Sequence, residues 1–234
     1  MRKKSVLEWI LLSSLAGCIS NETFEKGLEA RIISKNFHLP RGVRASEPKY
    51  NKDEILSMLK PELIKYPIKF INDNLDNLIV VRKDSLYLDD MKIGGLVDEK
   101  YPRQIILADD LLSHQDTGFH HEFSSILLRK NLDKFPWKKW KDLLPPGFKY
   151  EYRKDKSVEF MWDFYLNEQG FVCEYGKTDI EEDINTIAHS LLSRTEQMNT
   201  LRKLFPRIEK KVKIIIEFYN QLEGNNFMNK YITN

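Results

Sequence analysis

Phe119-His120-His121-Glu122-Phe123-Ser124-Ser125-Ile126-Leu127-Leu128 is the stretch on which the fold turns. Phe119, Phe123, Ile126 and Leu127 fall at helical spacing and predict an amphipathic helix over residues 118–130, with Thr117 or Asp116 as its N-cap. A helix that holds zinc for peptide hydrolysis carries two histidines four residues apart, so that both imidazoles meet one ion. The glutamate after the first histidine then serves as general base toward the metal-bound water. His121-Glu122 supplies the first half of that pattern. Four residues after His121 stands Ser125, and four after His120 stands Ser124. A hydroxyl is a poor zinc ligand beside imidazole, so this helix alone does not build a tetrahedral site.

Before this helix the chain reads as a small sheet. Leu78-Ile79-Val80-Val81, Ser85-Leu86-Tyr87-Leu88 and Gln104-Ile105-Ile106-Leu107 are strand-like, punctuated by Gly94-Gly95 and Pro102. Earlier still, residues 53–59 suggest a helix capped at Asn51 and interrupted or ended by Pro61 and Pro67. After it, helical stretches are expected at 158–167, 180–192 and 207–222, the last entered through Pro206. The expectation is an α+β chain, a small N-terminal β-sheet followed by a mostly helical bundle. Residues 51–234 form one domain of about 185 residues, enough for one core and short for two. Trp137, Trp140 and Trp162 are read as gap fillers between helices in preference to a sugar-binding surface. Lys138-Lys139 with Lys141, and Lys210-Lys211 with Lys213, are read as solvated helix faces. Without a basic stripe, no nucleic-acid partner is expected.

The first residues read as a sorting signal. Arg2, Lys3 and Lys4 precede the apolar run Trp9-Ile10-Leu11-Leu12, interrupted upstream only by Glu8, and Ser13-Ser14 leads to Leu15-Ala16-Gly17-Cys18. The run is shorter than the roughly 20 apolar residues of a spanning helix. Leu15-Ala16-Gly17-Cys18 resembles the bacterial lipobox, in which cleavage precedes the cysteine and its thiol is lipidated. Residues 1–17 are thus expected to be a signal peptide and Cys18 a lipid anchor to a membrane, each buried CH2 contributing about 0.8 kcal/mol. Residues 18–50, with Pro40 and Pro48, read as a polar tether and lead-in. The whole chain has a formal charge of +2, and Arg2, Lys3 and Lys4 against Glu8 also sum to +2, which leaves the remainder neutral. With Cys18 lipidated only Cys173 is left, and it is read as a small core residue.

From about Asp73 onward the chain resembles the zinc-binding metallopeptidase lipoproteins of Bacteroidetes, of the substrate-import-associated type. The matching pieces are Gly94-Gly95, Arg103 through Leu107, His120-His121-Glu122-Phe123, Gly170-Phe171-Val172-Cys173-Glu174-Tyr175-Gly176, Glu181-Glu182-Asp183 and the final helix. The resemblance implies a zincin-like domain of the gluzincin type. It implies a zinc site with His121 as first ligand, Glu122 as general base, Glu182 as the distant ligand and Ser125 at the vacated second-ligand position. It also implies an outer-membrane location beside a nutrient-uptake complex, and a peptide substrate. His114, folding back from the preceding loop, or His120, pointing about 100° from His121, are the possible substitute ligands. His189 lies seven residues after Glu182, about 10.5 Å along the helix, and is not expected to share an ion with it. Read without the resemblance, His120 and His121 equally suit a capped turn or a polar core pocket, and Glu182 suits a helix first turn. Two functions follow: a zinc hydrolase of peptide bonds, or an inactive pseudopeptidase that serves as a binding or accessory lipoprotein.

Overall fold

The computed structural model of the protein describes residues 27, 29–109, 118–152 and 159–232. Cys18 with the cleavage expected before it, His114 and the cap candidates Asp116 and Thr117 lie outside them. Two short strands come first, β1 (Ile32–Ile33) and β2 (Val43–Arg44), then helices α1 (Lys52–Leu63) and α2 (Ile68–Asn74). Strands β3 (Asn77–Val81), β4 (Tyr87–Leu88), β5 (Met91–Lys92), β6 (Gly95–Leu96) and β7 (Gln104–Ala108) follow. The rest is helical: α3 (Phe119–Lys130), α4 (Trp137–Lys141), α5 (Phe164–Glu168), α6 (Ile180–Ser193), α7 (Thr195–Leu204) and α8 (Pro206–Glu223). This is the α+β order expected, a small sheet region followed by a helical bundle.

The larger sheet has the order β1-β3-β7-β6, with β1, β3 and β7 parallel and β6 antiparallel at the edge. Its two central strands are buried on both faces, which is why they read as unbroken apolar runs. Leu78, Val80, Ile105 and Leu107 face the main core with the helices, whereas Ile79, Val81, Ile106 and Ala108 face a smaller core. Val43 and Leu86 close that smaller core beside the second sheet, β2-β4-β5. Asp109, buried just after β7, accepts the backbone N–H groups of Lys49 (2.7 Å) and Lys83 (2.9 Å) and so ties three segments together.

In α3, Phe119, Phe123, Ile126 and Leu127 are all buried, as the periodicity requires. Its N-cap is Gly118 in a left-handed conformation, φ 66°, with no side-chain bond. Helix α1 does carry the expected cap: Asn51 Oδ1 accepts from Glu54 N at 3.0 Å, and the Glu54 carboxylate accepts from Asn51 N at 2.8 Å.

Four expectations are corrected. Pro61 does not break α1, which runs on through it to Leu63; proline removes only the ladder bond of its own nitrogen, and the following N–H groups continue the helix. The helix placed at 158–167 starts only at Phe164, because the Asp163 carboxylate accepts from Leu166 N and makes Asp163 the N-cap. Trp162 is 57% exposed and fills no gap, while Trp140 is fully buried. Lys211 is not on a solvated face but wholly buried, paired with Asp183. Cys173 is a buried free thiol, as expected, and burial pushes its pKa up to about 11. No helix among the described residues is long and apolar enough to cross a membrane.

Candidate functional site

The site lies where α3 and α6 pack against each other beside the edge strand β6. Asp179 caps α6 by accepting from Glu181 N at 2.8 Å, which fixes where the helix begins and puts Glu181, Glu182 and Asp183 in its first turn. Successive residues on a helix are rotated by about 100°. Asp183 accordingly enters the core, while Glu182 turns toward α3.

There His121 Nε2 stands 2.9 Å from Glu182 Oε2. Burial presses the His121 imidazole toward neutrality, but Glu182 outweighs it and the pKa is raised. Burial likewise opposes ionisation of Glu182, yet His121 and the Tyr175 hydroxyl hold its pKa below the ordinary value. The two side chains therefore form an ion pair. Glu122, next along α3, has its pKa pushed up to about 7, first by burial; His121 pulls it back and the charge of Glu182 adds to it. Its carboxylate lies against Gly95 on β6, where a Cβ would come within 2.6 Å of Glu122 Oε1. Glycine leaves the carboxylate its room, and a side chain there would force Glu122 to move.

One turn further along both helices, Asn185 Nδ2 donates to Ser125 Oγ at 2.7 Å, with Asn185 fully buried and Ser125 4% exposed. At the far end Arg129 Nε donates to Glu181 Oε1 (2.8 Å) and its Nη1 to Val97 O (2.8 Å), fastening α3 to α6 and to the chain after β6.

His120 points away from this pair, as the helix geometry implies. It is fully buried, with Nδ1 2.8 Å from the Tyr66 hydroxyl and Nε2 2.5 Å from Glu62 Oε2, which also accepts from Lys65. Burial lowers its pKa to about 4, so the ring is neutral and donates from Nε2 to the Glu62 carboxylate. It is a core group and offers no free nitrogen to a metal. His189, not expected to share an ion with Glu182, nevertheless comes near both histidines of α3. Its ring centroid is 6.4 Å from that of His121 and 6.3 Å from that of His120, because the helices cross and long side chains lean back along α6.

Zinc of the kind the resemblance implies needs three protein ligands around one point. Here His121 and Glu182 meet each other, and the third place holds a hydroxyl already bonded to an amide. Among the described residues, no group of three His, Cys, Asp or Glu side chains is arranged to hold a metal ion. These residues do not fit a three-ligand zinc centre. Nothing in the histidine–glutamate spacing singles out Asn185, Tyr175, Arg129 or Gly95. For Asn185 a signal existed: a polar residue three after Glu182, on the same face of an amphipathic helix.

No protein-family model matches the chain, and no curated protein matches it. Among solved structures, the chain is similar to a protein from Bacteroides caccae ATCC 43185 described as a "putative zinc-binding metallo-peptidase". The likeness covers 92% of each chain, with a TM-score of 0.55 and 14% sequence identity. At that identity the likeness is one of fold, an α+β arrangement shared over nearly the whole chain.

Proposed function

We propose that this chain is a lipid-anchored envelope protein that keeps a metallopeptidase-like fold as a binding or accessory component and does not cleave peptides. The observation that carries the reading is the Ser125–Asn185 hydrogen bond at the place of the second metal ligand. With only His121 and Glu182 left, affinity for zinc falls steeply, because it depends on ligand number and geometry. The fold likeness supports the relationship to peptidases, and the Leu15-Ala16-Gly17-Cys18 tetrapeptide supports the anchor. A second reading, hydrolysis, is favoured by one feature: Glu122 has a pKa of about 7, suited to a general base, and lies beside an edge strand.

Equilibrium dialysis of the purified protein against zinc, followed by metal analysis and a peptidase assay, separates the two. The expected result is substoichiometric zinc and no cleavage. One equivalent of zinc that disappears in His121→Ala and Glu182→Ala, together with cleavage, would establish the hydrolase instead. For the anchor, radiolabelled palmitate fed to expressing cells is expected to label the parent and not Cys18→Ser. Equal labelling of both would refute lipidation at that residue.

A further inference from the structure

Ser125 is only half of what stands in the second-ligand position. Asn185 reaches it from the opposite helix, is fully buried, and donates through Nδ2 at 2.7 Å. Its other polar atom, Oδ1, is buried with no hydrogen-bond partner among the described residues. A half-satisfied amide is a costly filler for a helix–helix seam, where a small apolar residue would carry no such penalty. Ile184, Ile187, Ala188, Ile126 and Leu127 on the same two helices are buried, and the polar pair one turn away, His121 and Glu182, is engaged with itself. Asn185 also has size. Interiors are close-packed, so the space just beyond the Ser125 hydroxyl, which an imidazole at 125 would need, is already filled by the Asn185 amide.

We propose that the second-ligand position is closed from both helices, by Ser125 and Asn185 together, and that Asn185 decides whether α3 is able to present a second metal-binding side chain. This rests on the proposed function, in which the parent protein lacks a working zinc site. Restoring histidine at 125 alone then leaves the new ring blocked, whereas histidine at 125 with a small residue at 185 lets it join His121 and Glu182. Asn185 is a determinant of metal binding that touches no metal itself.

The test measures zinc affinity by competition with a chromophoric chelator, on the full-length protein and the variants Ser125→His, Asn185→Ala and Ser125→His/Asn185→Ala. The visible spectrum with cobalt reports the coordination geometry. The double variant is expected to bind one zinc roughly 100-fold more tightly than Ser125→His alone, with a tetrahedral cobalt spectrum that His121→Ala removes. Equal affinity in Ser125→His and the double variant overturns the role of Asn185 and leaves the proposed function standing. Zinc binding by the parent as tight as by the double variant overturns the proposed function instead. A folded double variant without zinc affinity overturns the inference. If the alanine version does not fold, Ser125→His/Asn185→Ser is measured in its place. Failure of both to fold also counts against the inference, since a residue that merely fills a ligand's place is replaceable.

Discussion

Asp183→Ala is expected to lower the unfolding free energy by about 3–5 kcal/mol, the usual cost of removing one partner from a buried ion pair. Lys211 Nζ donates to both Asp183 oxygens at 2.7 Å and to Gly170 O at 2.9 Å. Asp183 Oδ2 also accepts from Trp140 Nε1 (2.9 Å) and from the Tyr150 hydroxyl (2.8 Å). The Lys211 ammonium lies 4.2 Å from the centroid of the Phe171 ring. Both charged side chains are wholly buried, and burial shifts the Asp183 pKa up and the Lys211 pKa down, each against the pull of its partner. With alanine at 183 the ammonium stays in the core, facing a carbonyl and two rings. Urea unfolding followed by circular dichroism measures the loss. Asp183→Leu/Lys211→Met is expected to recover most of it, because a buried pair replaced on both sides by apolar groups is often neutral. An alanine variant within about 1 kcal/mol of the parent would show that water reaches the pair. The consequence extends to the site, since Asp183 holds the first turn of α6, from which Glu182 faces His121.

Glu122→Gln is expected to be more stable than the parent at pH 8, by about 2 kcal/mol, and to lose that advantage by pH 4.5. The Glu122 pKa is raised in the folded protein from 4.5 to about 7. The folded state therefore binds this proton before the unfolded chain does. Its contribution is fully present below pH 4.5 and is lost as pH rises through about 7. A shift of that size corresponds to about 3 kcal/mol when fully expressed, and about 2 is expected for a half-buried group. His120 acts in the opposite direction. Its pKa is lowered from 6.5 to about 4, so the unfolded chain binds that proton first and stability falls as pH drops from 6.5 toward 4. The two effects oppose each other across nearly the same window and flatten the parent's profile. Glutamine at 122 removes one of them and leaves acid destabilisation by His120 exposed. Parallel profiles for parent and variant between pH 4.5 and 8 would show that Glu122 titrates at an ordinary value.

The opposed titrations come from His120 and Glu122, two residues apart on one helix, and nothing in their order along the chain distinguishes them. His120 turns inward to Tyr66 and Glu62, more than fifty positions away in sequence. Glu122 turns toward β6 and Glu182. Helical geometry predicts the divergence between neighbours, but not what each one meets.

Periodicity made much of the fold legible. The apolar spacing of α3, the runs of β3 and β7 and the proline entry to α8 are local patterns, and local patterns constrain secondary structure because backbone geometry repeats. The same locality revealed His121-Glu122, the serine at 125 and the tetrapeptide ending at Cys18. Contacts between distant residues were not legible in this way. Lys211 sits in a run of lysines that looks solvated, and only the packing of α8 against α6 shows it to be half of a buried pair. Rise along one helix also did not reveal that His189 comes near His121, because it says nothing of the angle at which another helix crosses it. The sequence by itself determined β3, β7, α1, α3, α6 and α8, their order and the missing histidine. Tertiary packing alone decided that Asn185 fills the place that histidine would need, because a helix presents each residue to a neighbour chosen by the fold and not by spacing.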